Sequence, residues 1–360
     1  MKIAIIGAIP PPYGGISVHI QRFKHYLEGK GHTVTVYELF RDGRSPGKNV
    51  IYIKNVRRWL LKYIFTAGED VIHLHTEAWQ LRAIMGLMSV LRKKTVITIH
   101  SESLHDSLET GGWLKHRLIK FGLRRTACVI TVNPRIKDLA LSIGVRPERV
   151  AVIPAFIPPV VRDEDLAAVP PATQDFIRSH SPLLSANAFK IVFYHNQDLY
   201  GIDMCIDLCA ALKPNYPNVG LVFCLPEIGD LDYFGKMQAR IAGLGIQDNF
   251  LFQTGPGLLY PVLMRSDVFL RPTNADGFGI SVAEAIYFKV PAIASDVCAR
   301  APGTVLFKSR DAEDFTRKVQ GVLADLPGSR RRIAEIKLEN GADRIMAVYQ
   351  ELAGRGREGN

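Results

Sequence analysis

The chain has 360 residues, of which 47% are hydrophobic and 22% charged, a balance that belongs to folded globular proteins and excludes a disordered or collagen-like polymer. Its length exceeds what one hydrophobic core usually serves, so two domains of ordinary size are expected. The formal net charge of +10 is uneven: residues 1–170 hold 25 Lys and Arg against 14 Asp and Glu, whereas the remaining 190 hold 20 against 21.

Residues 1–8 read as a buried first strand rather than a signal peptide, and no apolar stretch is long enough to span a bilayer, so a cytoplasmic protein is expected. β-favouring runs follow at 33–37, 71–75, 95–100, 128–132 and 150–153, with helical stretches between most of them. Between the first two, Ile16, Ile20, Phe23 and Leu27 share one helical face, and Gly29 and Gly31 end the helix. This alternation predicts a doubly wound α/β domain over 1–158. After its first strand runs GAIPPPYGGIS, residues 7–17, a proline-stiffened loop that ends in Gly14 and Gly15 at a helix start. It lacks the spacing of a dinucleotide fingerprint, and no Walker-type loop occurs anywhere. It is either an ordinary glycine turn or a ligand loop. His73 and His75 stand two apart on a strand and face one side, as metal ligands or structural groups would; no further ligands present themselves, and the structural reading is preferred. His100 ends another strand.

Residues 159–188, rich in proline and polar groups, read as a connecting segment. A second α/β domain is predicted over 189–340, with runs at 189–194, 219–225, 249–253, 267–270, 291–294 and 304–307. A helix over 341–356, with Ile345, Met346, Tyr349 and Leu352 on one face, is expected to pack back on the first domain. In doubly wound sheets ligands bind at the carboxyl ends of the strands, so two such domains facing a central cleft are expected. The five cysteines are scattered and give neither a zinc set nor a disulfide framework.

The most informative segment is SDVFLRPTNADGFGISVAEAIYFKVPAIA, residues 266–294, a strand, a glycine loop, a helix and a strand. Gly277 and Gly279 let backbone approach a ligand, and the N–H groups of the first helical turn form a seat for phosphate. Asp276 and Glu284 bracket that seat. Ser281-x-x-Glu284 also fits a capping box, in which Glu284 only folds back on the helix start.

These residues resemble the retaining glycosyltransferases of the GT-B fold, glycosyltransferase family 4 (group 1). The likeness runs through PPYGGIS, GHTVTVYE, DVIHLHT, ITIHS, ITVNPRIKDLA and VAVIPAF to the block just quoted. It implies that Asp276 touches the donor sugar's hydroxyls, that Glu284 holds the ribose, and that the backbone of Phe278, Gly279, Ile280 and Ser281 cradles the diphosphate and sugar. It also implies a site role for His100 beside the donor's anomeric carbon. One departure stands out. The family presents Gly-Arg and, five residues on, Lys-Gly to neutralise the diphosphate; here His195 stands where Arg would and Tyr200 where Lys would. Backbone N–H groups, His195, or a basic residue from elsewhere such as Arg271 must then meet that charge.

The expected substrates are a nucleotide-sugar donor and a lipid-linked or growing saccharide acceptor, with no metal or other cofactor and no nucleic acid. Two basic amphipathic stretches, 57–65 and 113–125, suit an anionic membrane surface, at the inner face of the cytoplasmic membrane; a solvated helix over a core is the alternative. The implied activity is sugar transfer with retention, in the synthesis of O-antigen, capsule or exopolysaccharide. A degenerate homologue serving as a scaffold, and a nucleotide-sugar epimerase, are the alternatives.

Overall fold

The computed structural model describes residues 1–39, 47–101, 103–110 and 112–354. The chain divides into two compact units, one of Met1–Pro11, Ile16–Ile157 and the stretch from Glu339, the other of Pro12–Gly15 and Pro158–Leu338.

Among the described residues the first unit is built on a parallel sheet of β1 (Lys2–Ile6), β2 (Thr33–Glu38), β3 (Val50–Tyr52), β4 (Val71–Leu74), β5 (Thr95–Ile99), β6 (Cys128–Thr131) and β7 (Val150–Val152), in the order β3-β2-β1-β4-β5-β6-β7. Strands such as Val71–Leu74 are buried throughout, because helices cover both faces of a parallel sheet, and the one polar residue of that strand, His73, is hydrogen-bonded inside the core. The short β3 is an addition to the predicted strands. The order of connection reverses between β1 and β4, which opens a crevice at the carboxyl ends of those strands.

Two helices of this unit, Trp79–Val90 and Trp113–Arg125, meet backbone to backbone. A Cβ added at Gly122 would lie 2.2 Å from the Arg82 carbonyl oxygen, and one at Gly86 would lie 2.6 Å from the Gly122 Cα. Only glycine permits that approach. The final helix, Gly341–Gly354, lays Ile345, Met346, Tyr349 and Leu352 into the same core as Ile5, Phe23 and Ile130. Residues 355–356 of the predicted helix lie outside the described residues.

The second unit carries a parallel sheet of β8 (Leu183–Asn187), β11 (Gly220–Leu225), β12 (Phe250–Thr254), β13 (Val268–Arg271), β14 (Ala292–Ser295) and β15 (Val305–Phe307), in the order β12-β11-β8-β13-β14-β15. Here the reversal falls between β8 and β13. A small antiparallel hairpin, β9 (Phe193–Tyr194) with β10 (Gln197–Asp198), stands apart from it. The predicted first strand over 189–194 is therefore corrected to Leu183–Asn187, where Ser185, itself fully buried, interrupts the apolar run and hides the strand from pattern reading. For the same reason 159–188 is part of the second unit, carrying the helices Asp163–Ala167 and Pro171–Ser179 as well as β8.

Candidate functional site

In the second unit the site grows from the end of β13. Arg271 closes that strand, and its Nη1 donates to the carbonyl oxygen of Asn187 at 3.1 Å and to Asn187 Oδ1 at 3.3 Å, at the end of β8. The arginine thus bridges the two strand ends that flank the reversal point, where doubly wound sheets place ligands. Its guanidinium lies over the Tyr200 ring, 5.0 Å from the centroid.

From β13 the chain runs through the loop that holds Asp276 and Gly277 to the helix Ile280–Tyr287. Gly279 is the N-cap, with φ 77° and ψ 69° and no side-chain cap. Ser281 is accordingly the second helical residue, not the cap, so the capping box is not formed. The backbone N–H groups of Phe278, Gly279, Ile280 and Ser281 take no acceptor among the described residues, which leaves the positive end of this helix as a seat for an anion. Glu284 sits one turn further in and is buried.

Asp276 is held from two sides. Its Oδ2 accepts from Arg271 Nε at 3.0 Å and from Arg300 Nη1 at 2.8 Å, and its Oδ1 accepts from the Gly277 N–H at 3.0 Å. Burial alone would raise the carboxyl's pKa, but the charges of Arg271 and Arg300 outweigh it and hold the group well below the usual carboxylate range. Asp276 is thus ionised at any physiological pH. Arg300 was not foreseen in the sequence. Its side chain is 1% exposed, and its Nη1 lies so near Gly279 that an added Cβ there would meet it at 2.4 Å. The only sequence signal for it was a basic residue shortly after a strand, which carries no information by itself.

His195 and Asn196 form the two-residue turn between β9 and β10, with φ of 51° and 60°. Adjacent residues at positive φ make the tight turn that suits a hairpin's twist. His195 is exposed there. Tyr200 lies beyond the hairpin, and its N–H donates to Asp198 Oδ1 at 3.0 Å.

In the first unit Gly14 precedes the helix Gly15–Gly29, whose first residue is Gly15. His75 follows β4 and His100 follows β5, with His75 Nδ1 and His100 Nε2 hydrogen-bonded at 2.9 Å. His19 joins them from the helix: its ring centroid lies 5.3 Å from that of His75 and 5.0 Å from that of His100. The sequence offered no further ligands for His73 and His75; the structure instead brings His19 and His100 beside His75. The three residues can bring ring nitrogens within 4.8 Å of one another. His19 Nδ1 donates to the Ala155 carbonyl at 2.8 Å, while its Nε2 and that of His75 are buried without a partner among the described residues. His73 is different, being satisfied at both nitrogens by Tyr349 Oη at 2.5 Å and Thr98 Oγ1 at 2.7 Å. Burial is the chief cause that lowers the pKa of all four, to about 4 for His19 and well below the ordinary value for His73, His75 and His100. All four are neutral at pH 7.

The two basic stretches each form a helix with one face in the core. Over 113–125 the buried residues are Ile119, Gly122 and Leu123, whereas Trp113, Leu114 and Phe121 face solvent. In the helix Val56–Thr66, Leu60, Tyr63 and Ile64 are buried, and Leu61 and Phe65 stand out at 70% and 76% exposure. Each helix carries an outer apolar set besides its core face. Among the described residues no helix is long and apolar enough to cross a membrane.

Two families match this chain. Residues 13–160 match Glycosyltransferase Family 4, and residues 178–338 match Glycosyl transferases group 1. The lipopolysaccharide core biosynthesis mannosyltransferase LpsB of Rhizobium meliloti (strain 1021) is 27% identical over 94% of this chain and 98% of its own length. Among solved structures, Anabaena Alr3699/HepE in complex with UDP-glucose superposes with a TM-score of 0.70 at 17% identity, covering 99% of this chain and 100% of that one. WaaG, a glycosyltransferase involved in lipopolysaccharide biosynthesis, superposes with a TM-score of 0.67 at 17% identity over 96% of this chain and 99% of its own.

Proposed function

The chain belongs to glycosyltransferase family 4 (group 1) and has the GT-B fold, and from that premise we propose that it moves a sugar from a nucleotide-diphosphate sugar to a lipid-linked or growing saccharide, with retention, in cell-surface polysaccharide synthesis. The observation that carries this reading is the row of unpartnered N–H groups from Phe278 to Ser281 at a helix start, with the Arg271 guanidinium at the end of the preceding strand. Such a place suits a diphosphate: backbone dipoles meet the charge that grows on the leaving oxygen, so no metal ion is needed. Glu284 holds the ribose. His100, a neutral imidazole, hydrogen-bonds to the donor sugar. The acceptor oxygen bonds to the anomeric carbon on the face from which the diphosphate departs, the bond to the leaving oxygen breaks, and the acceptor's proton passes to that oxygen.

The similarity to LpsB and WaaG supports a lipopolysaccharide or related acceptor. The outer apolar residues Leu61, Phe65, Trp113 and Leu114, set among Arg57, Arg58, Lys62, Lys115 and Arg117, support attachment to an anionic membrane surface.

The test is a thermal-shift screen with UDP, GDP, ADP and CDP, followed by transfer assays with sugars of the base that binds. One diphosphate should raise the melting temperature, and Glu284→Ala, shown to be folded, should lose most of the transfer. Full transfer by that variant would remove Glu284 from the site. The degenerate-scaffold reading draws on the missing basic pair at His195 and Tyr200; steady release of nucleotide from a sugar donor would end it.

A further inference from the structure

The absent Arg–Lys pair leaves a question of charge that Arg271, Asp276 and Arg300 answer together. Two guanidiniums share one carboxylate oxygen, so the cluster carries a net charge of +1, and the two arginines are not equivalent. Arg300 is consumed by the protein: Nε donates to the Ser295 carbonyl at 3.1 Å, Nη1 to Asp276, and Nη2 to Thr273 Oγ1 at 3.0 Å and Ser295 Oγ at 3.1 Å. It is almost wholly buried and has no edge to offer a ligand. Arg271 is more open, at 12% exposure. Asn187 and Asp276 fix its Nε and Nη1, whereas Nη2 takes no partner among the described residues. Beneath it lies Tyr200, the residue standing where the family has its lysine.

We infer that Arg300 is a positioning residue of the donor site: it cancels the Asp276 carboxylate, so that Arg271 keeps an uncompensated charge and presents its Nη2 edge to the donor diphosphate. Asp276 is then first an anchor between two arginines, its Oδ2 taken by both guanidiniums and its Oδ1 by the Gly277 N–H. Tyr200 is the platform that holds the relocated cation. The chain has moved its diphosphate charge from the 194–201 loop to the end of β13. This inference rests on the nucleotide-sugar reading given above.

Charge rescue tests it. Wild type, Arg300→Gln, Asp276→Asn and the double variant are titrated with UDP and GDP by calorimetry, with melting curves to establish that each is folded. Arg300→Gln leaves Arg271 paired one to one with Asp276, and affinity for the diphosphate should fall by about tenfold or more. The double variant Arg300→Gln/Asp276→Asn again leaves Arg271 uncompensated, and affinity should return to within about threefold of wild type. In steady state the donor KM should follow the same fall and return, while kcat changes less. Arg300→Lys keeps the charge and should keep affinity, which preserves the test if Arg300→Gln does not fold. A folded double variant that fails to recover, or an Arg300→Gln that binds as wild type does, overturns the inference alone. Wild type that binds none of UDP, GDP, ADP and CDP overturns the donor reading and the inference with it.

Discussion

The two units bury ionisable groups in opposite ways. In the first, His19, His73 and His75 are buried and His100 half-buried around the carboxyl ends of β4 and β5, all kept neutral chiefly by desolvation, and apart from Arg82 no Lys or Arg among the unit's described residues is buried. In the second, which has almost no net charge, an Arg–Asp–Arg cluster is buried in fully ionised form beside a helix start. A neutral imidazole can hydrogen-bond to a polar ligand without repelling or attracting charge; a guanidinium held by a shared carboxylate can meet an anion. The difference teaches that a site's local charge need not follow the charge of the unit that holds it.

Breaking the ionic side of this comparison should have the largest effect. Asp276→Leu leaves two guanidiniums without their anion and should cost about 3–5 kcal/mol of the second unit's stability. Because Trp59, Trp79 and Trp113 are the chain's three tryptophans, intrinsic fluorescence reports the first unit alone. The loss should appear in far-UV circular dichroism melts and leave the tryptophan transition in place.

On the imidazole side acid is the probe. In the folded unit the histidine pKa values lie below the ordinary 6.5, so the unfolded chain binds more protons as pH falls. Stability is intact above about 6.5, the unfolded value, and is lost progressively as pH falls toward about 4, where His19 titrates in the folded unit. His19 alone contributes roughly 3 kcal/mol over that span. Tryptophan-detected melts from pH 7.5 to 4.5 should shift steadily downward, and His19→Gln should flatten the slope; an unchanged slope would mean that His19 is not buried neutral.

Two glycine substitutions give smaller effects of opposite sign. Gly122→Ala drives a methyl into the Arg82 carbonyl and should destabilise the first unit by about 1–3 kcal/mol. Gly235→Ala, mid-helix in Leu231–Gly243 with nothing near the added methyl, should stabilise the second unit by about 0.5–1 kcal/mol. Urea titrations followed by both probes separate the two.

The parallel architecture was legible because strands covered on both faces become apolar runs, and helices between them keep a 3.6-residue period. The glycine loop was legible because a strand, a polar loop and a helix start follow one another without interruption. What sequence could not show depends on contacts between distant segments. Arg300 reaches Asp276 across 24 residues, and His19 meets His75 from a separate element, a pairing that the face shared by Ile16, Ile20, Phe23 and Leu27 does not by itself disclose. Ser185 hid its strand because a small hydroxyl in a core leaves no periodic trace. The capping-box pattern failed for a local reason: Gly279, able to take positive φ, starts the helix two residues earlier than Ser281.

The discontinuous make-up of the first unit bears on how the protein comes into being. Tyr349 closes over His73, and Gly341 fits against the Pro154 and Phe156 carbonyls, where an added Cβ would come within 2.5 Å and 2.9 Å. The sheet of the first unit therefore waits for a segment that is translated after the whole of the second. On the ribosome the second unit has its whole sequence available while the first still lacks a wall of its core, so chains that stop short of residue 341 should leave the ribosome with one finished half and one that exposes Phe23 and its neighbours to quality control.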